Sequence, residues 1–153
     1  MPNITNDQEL RAALDSLPIE HQRTVGVLFA AAVELPGMDR ELQQALELAQ
    51  QSDTDEHVQE MAYKTAKSVA TRTYTACGQD TDWETQAEHF IAAACSAALI
   101  PERLTSGANP AWRAAIQSRM ASNCLMMLDN SSVLRNEAQN QYAICADYLL
   151  AHQ

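Results

Sequence analysis

The chain has 153 residues, 46% of them hydrophobic and only 5% aromatic, and its formal net charge is −10. That length suits one domain with its own core. An acid excess of this size argues against nucleic-acid binding by counterion release and against anionic membranes. The charge is uneven, because twelve acidic and three basic residues fall within the first 60 positions.

Alanine fills roughly one position in six, which favours closely packed helices. Only four glycines and five prolines interrupt the chain. Periodicity and capping signals predict seven helical segments. Asn6 with Glu9 forms a capping-box pattern, followed by the stripe Leu10, Ala13, Leu14 and Leu17, which Pro18 ends. The second segment runs from about Ile19 to Glu34. Its stretch Val25–Val33 is almost wholly apolar, as expected of a helix buried on most sides. Pro36-Gly37 stops it, and Asp39 caps a third segment with Leu42, Ala45, Leu46 and Ala49 facing inward.

Asp53 with Glu56 starts a long fourth helix to about Cys77, with Val58, Met61, Ala62, Thr65, Val69 and Thr73 on its inner face. Gly78 stops it. Thr81 with Glu84 opens a fifth segment that ends before Pro101. Pro101–Asn109 is the candidate mobile loop. Asn109-Pro110 then supplies a cap and a first-turn proline for a sixth segment to Leu128. The seventh starts at Ser131 or Ser132 and carries Leu134, Ala138, Tyr142, Cys145 and Leu149. The fold expected is a single all-α domain, a bundle of about seven largely antiparallel helices.

The opening MPNITNDQ has neither a basic nor an apolar signal region. The apolar run Ile91–Ile100 is interrupted by Ser96 and too short to span a bilayer. Cys77, Cys95, Cys124 and Cys145 are widely spaced, with no Cys-x-x-Cys pair, and read as reduced, small hydrophobic residues. A cytoplasmic location is the expectation.

No catalytic motif emerges. None of His21, His57, His89 or His152 follows a glutamate by three positions, so the helical di-metal pattern is missing, and no metal or cofactor is expected. His89 is expected to be exposed. Glu56/Glu60 and Glu84/Glu88 are i,i+4 pairs that a magnesium-dependent nucleotide or phosphate hydrolase would use. In an antiparallel hairpin the two pairs fall about 30 Å apart, so such a site requires a dimer. Within one chain they read as helix-start acids, with Glu60 pairing Lys64. Arg119 sits at the edge of an apolar stripe and reads as a snorkelling side chain, while Met120, Met126 and Met127 read as core.

Several N-terminal acids are helix caps, but Asp15, Glu20, Glu34, Glu41 and Glu47 are not. These five are the candidate partner-binding residues. The leading reading is a non-enzymatic, acidic binding module, such as an immunity protein or antitoxin that occludes a protein partner with a basic surface. The alternatives are the hydrolase and a structural subunit that self-associates into a homo-oligomer through its Ala- and Met-rich later helices.

Overall fold

A computed structural model describes residues 3–51, 55–76, 82–105, 107–129 and 136–152. It is an all-α bundle, with no strand among the described residues. Its helices are α1 (Asp7–Asp15), α2 (Ile19–Ala31), α3 (Arg40–Ala49), α4 (Glu56–Ala76), α5 (Trp83–Leu99), α6 (Pro110–Asp129) and α7 (Glu137–Ala151). A 3-10 turn, Glu102–Leu104, lies within the segment expected to be a mobile loop.

Short polar side chains start most of these helices by accepting the first free N–H groups. Asn6 Oδ1 accepts from Glu9 N at 2.8 Å. The Glu9 carboxylate reaches back one residue further than a standard box, accepting from Thr5 N at 2.9 Å and its hydroxyl at 2.6 Å. Asp39 caps α3, and Asn109 caps α6 ahead of Pro110. Two caps differ from the sequence reading. Asp55 accepts from Val58 N and starts α4, and Asp82 accepts from Glu84 N and Thr85 N and starts α5. The expected caps, Asp53 and Thr81, lie outside the described residues, as do Cys77, Gly78 and the Ser131–Leu134 start expected for the last helix. Asn136 caps the described α7. Between α2 and α3, Gly37 takes φ +78°, a conformation that disfavours side chains, and lets the chain reverse after Pro36.

The nearly continuous apolar run makes α2 the central helix. Val27, Ala30 and Val33 point into one apolar cluster with α3, α4, α5 and α6. Val25 and Phe29 point into a second, with α1, α6 and α7. Alanine sets the helix spacing. Gly26 lies so close to α5 and α6 that a Cβ there would sit 2.8 Å from Ala98 Cβ and 3.3 Å from the Ala111 backbone. Small residues on three helices thus allow one tight crossing.

The α4–α5 pair is antiparallel. Glu60, near the start of α4, meets Arg103 just past the end of α5, while Ala70 and Thr73 meet His89 near the start of α5. The inner face of α4 is rotated from expectation. Ala62, Tyr63, Ala66, Val69 and Thr73 are buried, whereas Met61 is 52% exposed. A tyrosine ring buries more area than a methionine placed at the helix edge, so packing turns Tyr63 inward.

Five further side chains depart from the sequence reading. His89 is half-buried rather than exposed, with Nδ1 2.8 Å from the Ala70 carbonyl. Glu60 pairs with Arg103, not Lys64. Met120 and Met127 lie outside the core, 43% and 59% exposed. Arg119 does not snorkel. Its guanidinium grips Asp7 at 2.8 and 3.0 Å, while Nε donates to Gln141 Oε1 at 2.8 Å. Gln141 is fully buried and donates to the Ala115 carbonyl. Tyr142 also donates to Asp7, so this network ties α1, α6 and α7 together.

Candidate functional site

The five candidate acids divide between two regions. Asp15 ends α1 and accepts from the Asn109 side chain, and Glu20 lies in the first turn of α2. Both therefore sit at the end of the bundle where α2 and α6 begin. Glu34 and Glu47 share a shallow groove with Pro36, Met38 and Gln43. Glu41 is about 120° around α3 from Glu47, given 100° per residue. Glu20 and Glu34 are on the order of 20 Å apart at 1.5 Å per residue. Asp15 and Glu20 thus lie at one end of α2, and Glu34 lies past its other end.

The helix packing brings further acids to the Glu20 end. A cleft of about 450 Å³ opens beside the start of α4, the end of α5 and the 3-10 turn. Three carboxylates, Glu56, Glu60 and Glu102, line it together with Arg23 and Arg103. Arg103 donates to Glu60 at 2.6 Å, and this hydrogen bond holds the Glu60 carboxyl below its ordinary range and raises the arginine. Arg23 spends one donor on the Ile100 carbonyl at 3.2 Å, and its buried Nε–H meets no acceptor among the described residues. Glu56 and Glu102 are exposed and hold no cation among the described residues. Chemically, the cleft offers free carboxylates to a cation and spare N–H groups to a carbonyl or other neutral acceptor.

Sequence reasoning singled out Glu56 and Glu60 but not Arg23, Glu102 or Arg103. Arg23 precedes the apolar run without marking a motif, and Glu102 and Arg103 fall in the expected loop. Only the antiparallel packing of α4 against α5 brings them together. The second carboxylate pair is remote. Glu88 accepts from Asp39 N at 2.8 Å and so serves the α2–α3 turn, and Glu84 lies beside Gly37. Among the described residues no three His, Cys, Asp or Glu side chains are grouped to hold a metal ion.

The described cysteines are buried. Burial pushes the Cys95 thiol up to about 12 and the Cys145 thiol up to about 11, which suppresses the nucleophilic thiolate at neutral pH. No helix among the described residues is long and apolar enough to cross a membrane. Comparison with protein-family models, characterised proteins and solved structures finds no match for this chain.

Proposed function

We propose that the chain is a non-enzymatic binding module whose acidic surface engages a protein partner with a basic surface, in the manner of an immunity protein or antitoxin. One observation carries this reading. Glu20, Glu34, Glu41, Glu47 and Glu56 are all exposed, and none holds a cation among the described residues. Charge that is not neutralised internally projects a field into solvent, steers a cationic partner and raises its association rate. The end bearing Glu20, Glu56 and Glu102 combines that field with a cleft, so it is the primary contact. Asp15 belongs to the same end, while Glu34, Glu41 and Glu47 act as a second, flatter acidic region.

The test is capture of the partner from native lysate at low and high salt, followed by charge reversal. Glu20→Lys with Glu56→Lys should slow association by about tenfold or more and flatten its salt dependence. Glu41→Lys with Glu47→Lys should have the smaller effect. Binding that survives both reversals unchanged removes the acidic-surface reading.

A second reading rests on a different observation. Ile116, Met120 and Met127 are exposed and fall within about 40° of one another around α6, an apolar stripe suited to self-association. In that case the chain is a structural subunit of a homo-oligomer. Sedimentation at high concentration decides the matter, because a monomer there is incompatible with it.

A further inference from the structure

We infer that a slot between α4, α5 and α6 binds a small organic oxyanion, a phosphate or carboxylate group carried on a compact apolar body. The slot has a volume of about 190 Å³, and Lys67 of α4 and Arg113 of α6 line it from different helices. No carboxylate is among its lining residues.

Arg72, Arg103 and Arg119 each hold a carboxylate within 3.0 Å. Lys67 and Arg113 are exposed and hold none among the described residues, so two cations from different helices line one slot that has no carboxylate. An anion in the slot is attracted by both. The arginine fork matches two oxygens of an oxyanion, and the lysine adds a point charge. Gln117 also lines the slot and supplies a neutral N–H donor. The Lys67 ammonium lies 6.0 Å from the centroid of the buried Tyr63 ring, which favours its position at the rim.

The rest of the slot describes the body of the ligand. Ala93, Ala97 and Ile100 give it an apolar wall. Its volume is several times the roughly 30 Å³ that one water occupies in the liquid, so room remains beside the charged group. A bare inorganic ion leaves that wall uncovered.

Titration calorimetry at constant ionic strength tests this with phenyl phosphate, benzoate, inorganic phosphate and neutral benzyl alcohol as probes. Phenyl phosphate or benzoate should bind saturably, and the tighter of the two identifies the anionic group as phosphate or carboxylate. Affinity should fall by about tenfold or more in the Lys67→Gln, Arg113→Gln double variant, at an unchanged unfolding midpoint. Lys64→Gln, on the same helix, should leave it unchanged and so exclude a general surface-charge effect. Four results overturn the inference: no saturable binding below about 10 mM, benzyl alcohol binding as well as the anions, inorganic phosphate matching phenyl phosphate, or full affinity in the double variant.

Discussion

Glu60 and Lys67 lie about two turns apart on α4, and the surfaces at these two positions are opposite in character. The cleft at Glu60 brings three carboxylates against two guanidiniums, and one pair of these is already joined. The slot at Lys67 brings two cations and no acid. The sequence charge count implies an acid excess concentrated in the first 60 positions. Packing shows that availability depends instead on which charges meet a partner inside the fold. A carboxylate joined to an arginine contributes little field, whereas a lysine without a carboxylate partner keeps its local influence even at a net charge of −10.

The largest change to this contrast should come from Gly26→Ala. The crossing at Gly26 positions α2, which carries Arg23 in the cleft, against α6, which carries Arg113 in the slot. Alanine ordinarily improves a helix by about 0.5–1 kcal/mol over glycine. Here its Cβ would meet Ala98 Cβ at 2.8 Å, and overpacking of about 1–3 kcal/mol outweighs the gain. Thermal denaturation should show a midpoint several degrees lower, and both surfaces should lose ligand affinity together.

Arg119→Ala supplies the complementary case. It leaves buried Gln141 Oε1 without its donor and removes the bidentate contact to Asp7, at a cost of about 1–3 kcal/mol. Neither the cleft nor the slot includes Arg119, so urea denaturation should shift while both binding surfaces persist.

A smaller, pH-dependent effect follows from the same contact. The hydrogen bond from Arg119 holds the Asp7 carboxyl below its ordinary value of 3.8. A lowered folded-state pKa means the stabilisation is complete above the unfolded value and is lost as pH falls through the folded one. The wild-type protein should therefore lose stability below about pH 4 partly through Asp7. Asp7→Asn should be less stable near neutrality and show a flatter acid limb by circular dichroism.

The smallest stability effect is expected for Arg103→Gln, because the Arg103–Glu60 pair is largely solvated. The unfolding midpoint should stay in place. The cleft, however, gains a released carboxylate and loses a cation, so an oligolysine probe should associate faster and with a steeper salt dependence. Slot affinity for phenyl phosphate should not change. That result sharpens the distinction between the two surfaces, and a parallel change in both would erase it.

Most of the fold is legible in the sequence because its signals are local. Asn6, Asp39 and the Asn109-Pro110 step mark helix starts through bonds to N–H groups two or three residues away. The Val25–Val33 run announces a helix with apolar neighbours on more than one side. The failures have non-local causes. Tyr63 displaces Met61 from the core because helix–helix packing sets the rotation of α4. Arg119 is held by Asp7, 112 residues away in sequence, and the edge position of one helix carries no trace of that partner. The same reason hides the surfaces. Glu56 and Glu60 stand out by their spacing, but the arginines beside them arrive from α2 and the 3-10 turn, and the Lys67–Arg113 slot joins helices that share no motif.

The central position of α2 has a dynamic consequence. Its two sides belong to different apolar clusters, one shared with α1 and α7 and the other with α3, α4 and α5, and α6 contributes to both. Loss of α1 and α7 would open the smaller cluster while α2 and α6 keep their packing in the larger one. Native-state hydrogen exchange should accordingly divide the chain into two cooperative units. Amides of α1 and α7 would exchange through a partial opening of lower free energy, and those of α2 and α6 only when the whole molecule unfolds.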